Sequence, residues 1–278
     1  MFLNSLGHTT GFSTSKAFNK EKVKQDWISW NCQQLGLPIP HLLQFQHHER
    51  FAIDEYGDHL HSCTQHAGAT TGAHEHILTA VQQLFNQAGY ATDRKHVPHS
   101  RGTKKADLHI KDFQLEGIRN VIIDMTLRSE FHGSCSDPAR NGEASYVDPN
   151  GAIDAAVKAK LDNYHHDYSE RNFLFLPAVM TTSGRISGDF LRLLYILAHR
   201  QAANFFTRMG IPDPSPKAYK QRRGTYFYYN CAAIGLACAQ ATAMRIDIAP
   251  HKRPRRKQTR HVPDPHYFHL PPHARLHQ

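Results

Sequence analysis

The sequence predicts an α/β fold, a mixed sheet flanked by helices in the order α-β-β-β-α-β-α. Three observations predict it. Segments 72–90 and 187–209 carry apolar residues at helical spacing and bracket the pattern. Between them lie short apolar runs bounded by turn residues, which read as strands. A third helical pattern, 151–168, separates the third strand from the fourth, and only a sheet covered on both faces buries such an alternation.

The elements follow in order. GAHEHILTAVQQLFNQAGY places Ile77, Val81, Leu84 and Phe85 on one helix face, and Gly89 stops the helix. ATDRKHVP, KKADLHI and NVIIDMTL read as three strands, the last two joined by a loop through Glu116-Gly117. SEFHGSCSDPARNGEASYVDPN is a long polar loop. GAIDAAVKAKLDNYHHDY spaces Ile153, Ala156, Val157, Leu161 and Tyr164 as a helix. FLFLPAVMTT is a strongly apolar strand, and SGDFLRLLYILAHRQAANFFTRM a long helix.

Around this core the chain divides further. Residues 1–40 are a mixed segment ending at LGLPIPH, whose prolines signal a break. Residues 41–70 are rich in His and Cys. Residues 71–210 form the core, 211–250 a helical extension opened by IPDPSP, and 251–278 a basic tail. TYFYYNCAAIGLACAQATAMRI (225–246) reads as an alanine-rich helix docked on the core, with Cys231 and Cys238 as small core residues. Its aromatic run Tyr226–Tyr229 is expected to pack inward, with base stacking as the alternative.

Composition narrows the class. Of 278 residues, 40% are hydrophobic and 21% charged, which suits a globular core. No run of eighteen apolar residues predicts a membrane span. The first residues lack the pattern of a signal peptide. Five cysteines, an odd number, argue against a disulfide scaffold and for a reducing compartment. The 22 histidines are expected mostly at the surface. The net charge of +9 is uneven. Residues 216–278 hold twelve Lys/Arg and two Asp/Glu, so the rest of the chain is nearly neutral. HKRPRRKQTR (251–260), with Lys252, Arg253, Arg255, Arg256 and Lys257, suits sequence-independent contact with a phosphate backbone, and also reads as a nuclear import signal. A solvated tail is the alternative.

Two aspartates carry the chemistry. Asp107 and Asp124 each lie in an apolar strand run, where a carboxylate is unfavourable. On adjacent strands they can converge on one face. Two converging carboxylates repel unless a proton or a cation lies between them. A hard divalent cation, Mg2+ or Mn2+, suits oxygen ligands and promotes phosphodiester hydrolysis. Lys160, before Lys158, is placed to supply a cation near the scissile phosphate, and Tyr164 follows one turn later on the same face. Capping or ion pairing with Lys104, Lys105 or Arg128 is the competing explanation for the two acids. Asp93 and Asp112 read as ordinary loop or ion-pair residues.

The arrangement resembles the PD-(D/E)XK, restriction-endonuclease-like domain. Ala106-Asp107 stands for its first motif and Asp124-Met125-Thr126 for its second. It resembles more closely the C-terminal endonuclease region of non-LTR retrotransposon polyproteins. Gly57-Asp58-His59 with Cys63, then His74-Glu75, Lys105-Ala106-Asp107, Asp124-Met125-Thr126, and Lys160 with Tyr164 follow that region's order over residues 45–210. The resemblance implies a metal-dependent DNA endonuclease in which Asp107 and Asp124 hold the metal. Thr126 stands where the motif's lysine would be, so the resemblance implies that Lys160 has taken its role from the helix. Lys104 and Lys105 would add to nucleic-acid binding. DNA is the expected partner, with RNA as the alternative, and the nucleus the expected compartment, with the cytoplasm as the alternative. A nucleic-acid-binding protein on an inactive nuclease fold is the second reading. A zinc hydrolase ranks last, because no HExxH or comparably tight ligand set is present.

QHHERFAIDEYGDHLHSCTQH (46–66) raises a separate zinc question. His59 and Cys63 are spaced i, i+4. His47 or His48, with His66 or His74, would complete a tetrahedral Zn2+ site. A His-rich surface loop with Cys63 packed inside is the alternative. Glu75 is a possible third acid of the paired-aspartate site, with a solvated helix face preferred.

Overall fold

The sequence folds into a four-stranded mixed sheet covered by helices. The computed structural model describes residues 20–246 apart from 45–46, 49–50, 53, 63–66, 99–104, 114–116, 119, 134–141 and 145. Helix α1 (Lys20–Gln34) leads through a 3-10 turn, Leu42–Gln44, to a small ribbon of β1 (His47–His48) and β2 (Phe51–Ala52). A short helix α2 (Asp58–Ser62) precedes α3 (Ala67–Gln87). There follow β3 (Ala91–Asp93), β4 (Leu108–Lys111), β5 (Val121–Arg128), α4 (Gly151–Ser169), β6 (Leu174–Thr181), α5 (Gly188–Arg208) and α6 (Pro216–Ile246).

The main sheet runs β3-β4-β5-β6. The first three strands are antiparallel, and β5 pairs with β6 in parallel across the α4 connection. Strand parity divides the core. Val121, Ile123, Met125 and Leu127 of β5 join Ile77, Val81 and Phe85 of α3, Leu194 and Leu197 of α5, and Ile234 and Ala241 of α6 in the main cluster. Ile122 instead joins Tyr168 of α4 and Phe175 of β6 on the other face. Asp124 shares the parity of Ile122 and so lies on the α4 side.

Several bounds differ from the sequence pattern, each for a local reason. β3 ends at Asp93, because that carboxylate accepts the backbone N–H groups of Lys95 and His96 at 2.9 Å and turns the chain. β4 begins at Leu108, so Asp107 stands at the mouth of the strand rather than within it. α6 begins at Pro216, not 225. Ser215 caps it, its Oγ accepting from Ala218 N at 3.3 Å, and Pro216 occupies the first helical position, where no N–H is needed. The first turns of α6 are polar and carry no apolar periodicity to reveal them.

α6 is the longest helix described and packs along α3, α5 and α1. Cys238 is fully buried and Cys231 lies against the main core. Of the aromatic run only Phe227 packs against that core, while Tyr228 is 73% exposed. At the far end, Ile246 closes a small cluster with Ile39, Leu42 and Leu60. Not all histidines are superficial: His59, His61 and His109 are buried. His61 is held neutral, its pKa pushed down to about 3 by burial and then by the Arg245 charge.

β6 is an edge strand. Its residue 177 is a proline, which an edge tolerates because no ladder donor is required there. Further along that edge, Thr181 N donates to Arg185 O and Ser187 N to Val179 O, both at 2.9 Å, so the chain folds back over its own strand.

Tyr168 ties the two layers together near Asp107. Its hydroxyl accepts from Ala106 N at 3.2 Å and donates to Pro98 O at 2.7 Å, and its ring stacks on Phe175 with centroids 5.6 Å apart. Tyr168→Phe keeps the stack but strands the buried Ala106 N–H. It is expected to lower unfolding free energy by about 1–3 kcal/mol, read as a lower urea midpoint at unchanged slope.

Candidate active site

Asp107 and Asp124 meet because of strand register. Leu108 pairs with Ile123, His109 with Ile122 and Ile110 with Val121, so one further step back sets Asp107 opposite Asp124. Asp107 departs from the regular ladder there. Its N–H donates to Ile123 O at 3.0 Å, and its Oδ2 accepts from Met125 N at 2.6 Å. The carboxylate is thus anchored on the backbone of the very strand that bears its partner.

Two helices supply the counter-groups. From α3, His74 Nε2 donates to Asp107 Oδ2 at 3.1 Å. From α4, Lys160 Nζ forms an ion pair with Asp124 Oδ2. Lys160, Tyr164 and Tyr168 follow one another at i, i+4 and i+8, so one stripe of α4 faces the site. Lys160 Nζ also lies 5.9 Å from the centre of the Tyr164 ring. Lys158 points to solvent.

The electrostatics separate the two acids. Burial pushes Asp124 up, the Asp107 charge pushes it further, and Lys160 opposes both; the result is a pKa of about 6. Burial also acts against ionised Asp107, but His74, the Met125 N–H and Lys160 outweigh it and hold this carboxyl below its usual range. His74 is raised chiefly by its hydrogen bond to Asp107. Tyr164 is raised by burial and by both carboxylates, so its phenol keeps its proton at neutral pH. The pair therefore keeps Asp107 ionised below the usual carboxyl range, while Asp124 exchanges its proton around pH 6.

This donor set fits a hard divalent cation. Asp124 Oδ2 is buried and, among the described residues, has no hydrogen-bond partner; the Lys160 ammonium forms an ion pair with it. Mg2+ is commonly held by one or two carboxylates, with water and phosphate oxygens completing the shell. Among the described residues no group of three or more His, Cys, Asp or Glu side chains is arranged around a metal position. Comparison with protein-family models, with curated proteins and with solved structures finds no match.

The other expected site residues fall into place unevenly. Glu75 pairs with Arg94 and lies 3.9 Å from His74 Nδ1, so it meets the site through that histidine rather than as a third acid beside the aspartates. Lys105 lies next to Ala106, its Nζ donating to Lys95 O at 2.7 Å. Lys104, Cys63, His66 and the basic run Lys252, Arg253, Arg255, Arg256 and Lys257 lie outside the described residues. His47 and His48 are described only as the backbone of β1. His59 is buried with Nδ1 3.2 Å from Gly133 O, and His74 is engaged with Asp107 rather than with the His/Cys segment. Sequence reasoning missed two supports. His74 as the Asp107 partner depends on a contact 33 residues apart that no local pattern announces. Tyr168 was legible as the next member of the Lys160–Tyr164 stripe.

The raised Asp124 pKa has a pH signature. A carboxyl whose folded pKa lies above its usual 3.8 favours the folded state when protonated, and loses that contribution as pH rises through about 6. The metal-free protein is therefore expected to lose stability across this interval. Asp124→Asn removes that component, so the stability of the variant should fall less. Urea midpoints at a series of pH values in a chelating buffer measure the difference.

Proposed function

We propose that this protein is a divalent-metal-dependent DNA endonuclease with a restriction-endonuclease-like core, related to the endonuclease region of non-LTR retrotransposons. The observation that carries this reading is the pair of facing carboxylates, Asp107 and Asp124, flanked by Lys160. The element order α3-β3-β4-β5-α4-β6-α5 supports it. So does the position of Lys160 on α4, which brings a lysine to the second acid although Thr126 stands at the motif position.

Asp107 and Asp124 would hold Mg2+ or Mn2+. When bound, such an ion supplies charge neutralisation at a phosphate and a lower pKa for an attacking water. The chain does the rest. Because Asp124 takes up a proton below about pH 6, metal affinity would fall in acid. His74 fixes the Asp107 carboxylate and keeps its orientation. Lys160 uses one of its three donors on Asp124 and keeps others for the charge that develops on the phosphate oxygens. Tyr164, a protonated phenol beside both acids, is a further donor. The basic tail and Lys104–Lys105 would hold the DNA backbone, and the tail would also direct the protein to the nucleus.

A second reading, a nucleic-acid-binding protein on an inactive nuclease fold, draws on the substitution of Thr126 for the motif's lysine. Supercoiled plasmid separates the two. With Mg2+ or Mn2+ the wild-type chain should nick or linearise it, Asp124→Ala should not, and Lys160→Ala should cut slower by about 100- to 1000-fold. Binding without cutting by every variant would favour the second reading, and cleavage of RNA in place of DNA would change the substrate.

A further inference from the structure

A groove of about 730 Å3 runs between α3 and β3 and ends at Asp107. Arg94 and Lys95, just after β3, and Lys105, just before Asp107, place three cations along it. Gln82 and Thr92 add neutral hydrogen-bonding groups, linked to each other at 3.1 Å. Its three acids all have partners. Asp93 accepts from Lys111 Nζ at 3.1 Å and from two backbone N–H groups, Glu75 pairs with Arg94, and Asp107 accepts from His74 Nε2 and Met125 N. No aromatic ring is among the described residues that line it. Cations and amides without a stacking platform suit a phosphate backbone rather than unpaired bases.

We propose that this groove is a channel for the phosphodiester backbone that guides a strand to the paired carboxylates, with Glu75 holding Arg94 until a phosphate replaces it. The proposal rests on the nuclease reading for its substrate, but its chemistry is anion binding. Glu75 is half-exposed while Arg94 is about three-quarters covered, and partly exposed ion pairs are weak, so a phosphate can displace the outer carboxylate. Arg94 also keeps a second contact, NH1 to Thr79 Oγ1 at 3.2 Å, which holds the guanidinium at the groove wall during the exchange. Glu75 thereby lowers affinity for nucleic acid in general.

The test is fluorescence anisotropy of the full chain on a short labelled DNA, at several salt concentrations, in EDTA so that nothing is cut. Duplex and single strand are both used, and both should respond, since the contacts are to one backbone. Each lost phosphate contact reduces the salt slope by about 0.7–0.9. Arg94→Ala with Lys95→Ala and Lys105→Ala should therefore lower the slope by roughly 2 to 3, the tail contributing equally before and after. Glu75→Gln should bind severalfold tighter, a gain that misfolding cannot produce. An unchanged slope in the triple variant, or unchanged affinity in Glu75→Gln, overturns the proposal. A chain that cuts no plasmid yet shows both changes keeps the groove and loses the nuclease; one that cuts plasmid and shows neither keeps the nuclease and loses the groove.

Discussion

Everything distinctive about this protein depends on the register of β4 against β5. Because side chains alternate along a strand, a slip of one residue would send Asp124 into the main core among Val81, Phe85 and Leu194, and bring Ile123 or Met125 to face Lys160. The apolar side of β5 prevents this. Val121, Ile123, Met125 and Leu127 are all buried on one face, and each fully buried aliphatic side chain contributes about 1.5–3 kcal/mol. The core thus enforces the pairing that it gains nothing from.

Two carboxyls so placed are a local cost, and the protein divides that cost unequally. Asp107 receives a backbone donor and an imidazole, while Asp124 receives one ammonium and deep burial. Equal treatment would leave two similar acids sharing one proton. Unequal treatment produces one acid that ionises early and one that titrates around pH 6. The supports come from opposite sides of the sheet, His74 from α3 and Lys160 from α4, so the site also records how the two helical layers are docked.

Much of this was readable in the sequence, and the failures have physical causes. The long apolar strands β5 and β6 and the helices α4 and α5 lie close to their patterned limits, because burial on a whole face leaves a dense signal. β3 was overextended because the Asp93 turn is a side-chain event that hydrophobicity does not register. The start of α6 was missed because its first turns are polar; the Ser215-Pro216 cap was present but sat inside a stretch that reads as a break. For the site, the acids and Lys160 were legible since charged residues in apolar surroundings stand out. His74 stood out only as a member of the ordered motif and as a zinc candidate; its role as the partner of Asp107 was not legible, since the contact exists only once the fold brings α3 to β4.

The free side of β6 has a consequence for how the protein behaves with its neighbours. An uncovered edge strand of eight mostly buried residues is a template on which another chain could add a strand. Here Pro177 has no hydrogen to offer, and the Arg185–Ser187 segment has already taken the N–H of Thr181 and the C=O of Val179. The C-terminal half of the row is therefore partly occupied and interrupted. The sheet resists growth from this side, so assembly of further copies by strand addition is disfavoured there, and an apolar strand can be kept at the border without becoming a seed for aggregation.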